Sequence, residues 1–108
     1  MEQEAGMIII YTTFASENDA GKVGRELVEE KLAACVNIFP GMTSIYRWQG
    51  SSETAGETAM LVKTRKDLQT PVLEALVAKH PYSVPALIVF EPVHVAAAYL
   101  DWLHKETA

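Results

Sequence analysis

The spacing of apolar positions changes repeatedly along the chain, and each change marks an element. Met7-Ile8-Ile9-Ile10-Tyr11-Thr12 is short, β-branched and aromatic, and apolar on both faces, which is the pattern of a strand buried on two sides. Ser16-Glu17-Asn18-Asp19 supplies a helix start, with a hydroxyl three residues ahead of an acid and two acids for the positive helix end. Behind it Ala20, Val23, Leu27 and Leu32 recur at helical spacing, while Glu26, Glu29 and Glu30 can face water. From Ala34 to Gln49 the period drops to two, placing Met42, Ser44, Tyr46 and Trp48 on one face and Thr43, Ile45, Arg47 and Gln49 on the other. Pro40-Gly41 interrupts this stretch and predicts a bulge or bend rather than an end. Gly50 to Gly56 has a turn composition and is expected as a hairpin tip, with Glu57 to Thr64 returning as a third strand.

A second helix begins at Asp67 or Thr70. Pro71 is best tolerated at the first helical position, which favours Thr70 as the cap, whereas Leu68 fits a stripe with Val72, Leu76 and Lys79. His80-Pro81-Tyr82-Ser83-Val84-Pro85 cannot continue it, because each proline lacks an amide donor and restricts its predecessor. Ala86 to Phe90 reads as a fourth strand, ended by Pro92, and Val95 to His104 as a last helix carrying Tyr99, Leu100, Trp102 and Leu103. The order β-α-β-β-α-β plus a C-terminal helix predicts an α+β, ferredoxin-like split βαβ fold. Its sheet has four antiparallel strands and a long hairpin between the second and third. Two helices cover one face of such a sheet, yet the first strand is apolar on both faces and Tyr46 and Trp48 lie beyond its span. A symmetric oligomer is the simplest cover for the second face.

Composition narrows the function. With 108 residues and 49% hydrophobic content the chain reads as one globular domain over residues 1–108, with residues 1–6 a flexible N-terminal extension. Nine Lys+Arg against fourteen Asp+Glu give a net charge of −5, which disfavours an electrostatic grip on nucleic acid. No apolar run approaches the roughly 18 residues that span a bilayer, so no membrane partner is expected. The acidic start and the short run from Met7 to Tyr11 do not form a secretion signal, and the single Cys35 allows no intrachain disulfide. Both fit the cytoplasm.

Candidate chemistry is sparse. Cys35 reads as a small buried hydrophobe, His104 as a favourable charge near a helix C-terminus, and His94 as the start of the last helix. His80, on a stiff proline-bounded loop beside Tyr82, reads equally as a structural side chain or a ligand. Trp48 is either an interface anchor or a stacking platform. Lys63-Thr64-Arg65-Lys66 is either an anion holder or a solvated strand end. Glu57 and Lys63 share a strand face if no bulge intervenes, which allows an ion pair or hydrogen bonds in a crevice. There is no nucleophile elbow, P-loop or dinucleotide fingerprint, so no enzyme is expected. The third strand, Thr58-Ala59-Met60-Leu61-Val62, lacks the aromatic and basic residues of an RNA-recognition module. Thr12 to Glu17 lacks the arginine of an acylphosphatase phosphate loop.

Five blocks together resemble the CutA divalent-cation tolerance family. They are Glu30-Lys31-Leu32-Ala33-Ala34-Cys35-Val36-Asn37; Ser44-Ile45-Tyr46-Arg47-Trp48-Gln49-Gly50; Glu57 with Leu61-Val62-Lys63-Thr64; His80-Pro81-Tyr82 with Val84-Pro85; and Tyr99-Leu100-Asp101-Trp102-Leu103. The match runs in order from about Met7 to Leu103. The resemblance implies a homotrimer related in architecture to the PII signalling proteins. It also implies a non-catalytic role in tolerance of divalent metal ions, chiefly copper. Some members associate copper with a cysteine after the first strand, the histidine of His-Pro-Tyr and an acid after the next proline. The matching positions here are Thr12, His80 and Ala86, so only His80 carries a ligand, and weak copper binding is expected. The alternative is a PII-like effector module that binds a small anion or metabolite in clefts between subunits, with Trp48, Glu57, Lys63, His80 and Tyr82 converging there.

Overall fold

The computed structural model describes residues 6–108. In order these form β1 (Met7–Phe14), α1 (Glu17–Glu29), β2 (Cys35–Trp48), β3 (Ser51–Arg65), a 3-10 turn (Lys66–Leu68), α2 (Gln69–Lys79), β4 (Ile88–Phe90) and α3 (Ala97–Glu106). The strands make one antiparallel sheet in the order β2-β3-β1-β4, the ferredoxin-like arrangement expected from the sequence. The expected flexible extension lies, apart from Gly6, outside the described residues. Gly6 accepts a 2.8 Å hydrogen bond from the Lys66 amide.

The helix-covered face is the core. Ile8, Ile10 and Phe14 of β1 and Met60 and Val62 of β3 point into it, and Ala20, Val23 and Leu27 of α1 and Val72 and Leu76 of α2 close it. Ser16 caps α1 as expected, its Oγ accepting from the Asp19 amide at 3.1 Å. Gly24 lets the helix approach the sheet, since a Cβ there would sit 2.8 Å from Val36 Cγ2 and 3.1 Å from Met60 Sδ. Lys79 ties the helices together through Glu26 at 3.0 Å and Glu30 at 3.2 Å.

The other face is unfinished. Ile9, Tyr11, Leu61, Phe39, Ile88 and Phe90 occupy it by register, and α3 covers only the end near Lys63, whose Nζ lies 5.8 Å from the Tyr99 ring centroid. Phe39 and Phe90 remain 52% and 54% exposed. Cys35, expected to be buried, is only partly so, because it starts β2 on this open side opposite Lys63.

Pro40-Gly41 forms the expected bulge, since Phe39 pairs with Ala59 and Met42 with Glu57. One extra residue on β2 switches its parity, so Phe39 and Met42, three apart, share the open face. Beyond Phe14, where β1 ends against Thr58, only β2 and β3 continue as a two-stranded arm. The hairpin tip departs from expectation. Ser51 to Gly56 are paired strand, and the turn is Gln49-Gly50 with φ of 50° and 85°. Two left-handed residues are what a tight hairpin turn requires, and the small polar residues after it belong to a solvated ribbon.

Three further boundaries differ. Leu68, not Thr70, precedes α2, and no side chain caps it. Pro71 occupies the third position, still within the first turn where amides have no partner inside the helix. β4 holds three residues rather than five, pairing only with Ile9 to Tyr11. α3 begins at Ala97, which leaves His94 in the preceding loop and His104 in the last turn.

Candidate functional site

Glu57 is the first β3 residue past the end of β1, so its side chain emerges where the arm leaves the body. The loop after α2 crosses this point and brings the Tyr82 hydroxyl to donate to Glu57 Oε2 at 2.7 Å. Between arm and loop lies a cleft of about 460 Å³. Tyr46, Trp48, Glu57, Tyr82 and Val84 line it, with Thr13 at its floor. Period-two spacing on the arm and the bulge below it put Tyr46 and Trp48 on the same side as Glu57.

His80 supports the loop from behind. It stacks on Phe14 with centroids 4.3 Å apart and planes 8° apart, and only 8% of it is exposed. Its Nδ1 accepts from the Tyr82 amide at 3.1 Å, so Nε2 carries the proton and donates to the Thr13 carbonyl at 2.9 Å. Thr12 Oγ1 lies 3.1 Å from the same Nε2. Burial disfavours the imidazolium and outweighs the Thr13 carbonyl, Asp19 and Glu57, so the His80 pKa falls below its ordinary value.

The Glu57 carboxyl is pulled both ways. Burial raises its pKa, but hydrogen bonds from Ser44, Tyr82 and Thr13, together with His80, outweigh it and leave the group below its usual range. Tyr82 moves up, first because it is desolvated and then because it donates to that carboxylate. At neutral pH the site therefore holds an anion, a neutral imidazole and a protonated phenol.

Trp48, Glu57 and Tyr82 thus share the cleft, and His80 is joined to it through Tyr82. Lys63 does share the Glu57 face, with no bulge between them. It stands six residues along β3, about 20 Å at strand rise, and lies under α3 instead. Sequence reasoning passed over Tyr46 as a site residue, although its spacing from Trp48 placed it there. Thr13 and Ser44 carried no comparable signal, because their approach to Glu57 depends on strand register.

As a copper site the residues fit poorly. Both His80 nitrogens already hold hydrogen bonds, so a metal would have to displace one. Thr12 and Ala86 bring neither thiolate nor carboxylate. Among the described residues no three His, Cys, Asp or Glu side chains come together to hold an ion. No helix among them is long and apolar enough to cross a membrane.

A ferredoxin-like sheet with an open face, a projecting two-stranded arm and an aromatic, acidic cleft at the arm's root defines the class of protein. Within that class, the family model described as CutA1 divalent ion tolerance protein matches residues 8–106, and the chain belongs to this family. It is 43% identical over 99 residues to the divalent-cation tolerance protein CutA of Thermus thermophilus, covering 92% of this chain and 96% of that protein. The Arabidopsis thaliana protein named chloroplastic CutA is 38% identical over 93% of this chain, which spans 55% of that relative's length. A solved CutA1 structure from Ehrlichia chaffeensis superposes with a TM-score of 0.94 at 33% identity, covering 98% of this chain and 99% of that one. The family model and the Thermus relative are named for divalent-ion or divalent-cation tolerance and not for a catalysed reaction.

Proposed function

We propose that this protein acts without catalysis, as a cytoplasmic homotrimer, in the tolerance of divalent metal ions, copper among them. The open sheet face carries the reading: Phe39, Ile88 and Phe90 lie exposed beside a two-stranded arm whose outer edges are unpaired. Association of three copies would cover that face and extend the arm's strands across subunits. Light scattering across a size-exclusion peak tests it, with a mass of three times 11.9 kDa expected. A stable monomer at micromolar concentration would sink the assembly. Copper binding is weak in this reading, carried by His80 at the cost of one of its hydrogen bonds. Calorimetric titration with copper should give a shallow isotherm that His80→Ala abolishes.

A second reading, favoured by the cleft at the arm's root, is a PII-like effector module that binds a small anion or metabolite. A hollow of a few hundred Å³ with apolar walls and few converging polar groups is what such sites require. A thermal-shift screen of metabolites decides it, since any native-state binder raises the unfolding midpoint.

A further inference from the structure

The arm is long for its footing. Past Phe14 and Thr58 its two strands run on without a third, and the Pro40-Gly41 bulge interrupts one of them at the same level. A two-stranded ribbon twists readily and a bulge bends the strand that carries it, so the ladder alone sets the arm's direction loosely. From Met42 to Trp48 the arm reaches about 20 Å at strand rise, and a swing of about 10° at its root would carry the tip about 3–4 Å. Backbone hydrogen bonds form only at about 2.7–3.2 Å between heavy atoms, so a strand edge that pairs with another copy needs its direction fixed beforehand.

A brace crosses that root. The Glu57 carboxylate, on the first arm residue of β3, takes hydroxyl hydrogen bonds from three elements: Thr13 near the end of β1, Ser44 on the arm's other strand and Tyr82 on the loop after α2. Bonds to a carboxylate are shorter and stronger than neutral ones, and the one from Tyr82 measures 2.7 Å. The loop is anchored to the body in turn, because His80 stacks on Phe14, donates to the Thr13 carbonyl and accepts the Tyr82 amide. These ties close a circuit from β1 through His80 and Tyr82 to the arm and back to Thr13. By comparison Tyr11 adds one weak bond from body to arm, its hydroxyl lying 3.8 Å from Met42 Sδ. Every one of these bonds lies within one chain, and none needs the sheet face to be uncovered.

We propose that this brace is a positioning device for assembly: the Tyr82 hydroxyl, acting through Glu57, fixes the angle at which the arm leaves the body, and the next copy receives the arm at that angle. The inference rests on the assembly reading given above. Setting the arm in advance removes an ordering cost from association. Within one interface such gains fall mainly on the rate of dissociation, so the brace should show in how fast subunits leave.

Subunit exchange measures that rate. Nitrogen-15-labelled and unlabelled full chains are mixed in guanidinium chloride below the unfolding transition of every variant, and native mass spectrometry follows the mixed oligomers. Tyr82→Phe, which removes one hydroxyl and keeps the ring, should exchange at least tenfold faster than the parent, and Glu57→Gln likewise. The double variant should exchange no faster than the faster single one, because both changes open the same circuit. Leu27→Ala, which weakens the core away from the arm, should lower the unfolding midpoint more than Tyr82→Phe yet exchange at nearly the parent rate. A parent chain that assembles while Tyr82→Phe exchanges as slowly as the parent overturns the brace and leaves the assembly reading intact. Multiplying effects in the double variant, or exchange rates that simply follow lost stability with Leu27→Ala fastest, overturn it as well. A parent chain that stays monomeric removes the assembly reading and the brace's role together.

Discussion

The two faces of the sheet are built from the same strands but finished in opposite ways. On the helix side Ile8, Ile10, Phe14, Met60 and Val62 meet Leu27, Val72 and Leu76 with almost no exposed surface. On the other side Phe39, Ile88, Phe90, Tyr46 and Trp48 stand with roughly half their area in water, and α3 shields only one end. Hydrophobic burial within one chain is therefore complete on one face and deferred on the other. The difference separates stability from function. The helix side holds the fold, and the open side leaves its arm and cleft to solvent within one chain. Glu57 marks the boundary, standing at the point where β1 stops and the arm begins.

Substitutions at matched sites should break that symmetry most visibly in equilibrium denaturation at fixed protein concentration. Leu27→Ala opens a cavity in the closed face and is expected to cost about 2–5 kcal/mol. Trp48→Ala removes a larger side chain from the open face, and the fold of each chain should survive it. If the two variants unfolded at the same denaturant concentration with intact assembly, the division between the faces would be wrong. Gly24→Ala should come next, at about 1–3 kcal/mol, because the added methyl would meet Val36 Cγ2 at 2.8 Å and force helix and sheet apart. Gly56→Ala, on the arm where nothing lies within 4 Å, is its unpacked counterpart and should cost far less.

A smaller effect is expected from pH, and it reports on the hinge between the faces. The folded pKa of His80 lies below its unfolded value, so the unfolded chain takes up the proton first as pH falls through about 6.5. Stability should then decline from about pH 7 downward until the folded imidazole is protonated as well. Asp19 and Glu57, the acids acting on His80, favour its charged form but do not outweigh burial. Glu57, whose folded pKa is also lowered, acts in the same sense in a more acidic window, its contribution being present above the usual carboxylate pKa and lost only below it. Denaturant midpoints measured between pH 7.5 and 5.5 should fall for the parent chain, whereas His80→Gln should be less stable throughout but flatter. An equally steep profile in both would place the titrating group elsewhere.

Much of the closed face was legible in sequence because its signals are local. The β-branched run at Met7, the Ser16 cap and the Pro40-Gly41 bulge each act over a few residues, and all three form as read. The arm was harder. Ser51-Ser52-Glu53-Thr54 has a turn composition, and only the pairing of Trp48 with Ser51 reveals that Gln49-Gly50 makes the turn. The start of α2 was misplaced for a related reason, since a proline is tolerated anywhere in the first turn and Thr70 offers no cap there. The cleft was partly visible. Trp48, Glu57 and Tyr82 were legible as candidates, and within one chain Lys63 stands apart from them, under α3. The meeting of Tyr82 with Glu57 depends on the path of a loop that no local pattern specifies.

The smallest expected effect lies where the closed face begins. After α1 the chain turns through Lys31, which has φ of 62°, while the Leu32 amide bonds the Leu27 carbonyl at 2.9 Å and the Lys31 amide bonds Val28 at 3.1 Å. This is the left-handed helix ending that usually carries glycine, and here a side chain with a Cβ occupies it. The bonds hold Lys31 in a conformation that costs an L-residue about 1 kcal/mol. Replacing it changes charge as well as strain, because lysine near a helix C-terminus is favourable. The informative comparison is therefore Lys31→Gly against Lys31→Ala, in which neither variant carries the charge. Glycine should be the more stable by about 1 kcal/mol, the reverse of their ranking inside a helix. Denaturant melts of the two variants measure it. Alanine equal to or above glycine would mean that the chain leaves α1 by another route, and that the helix side is less rigidly ended than its burial implies.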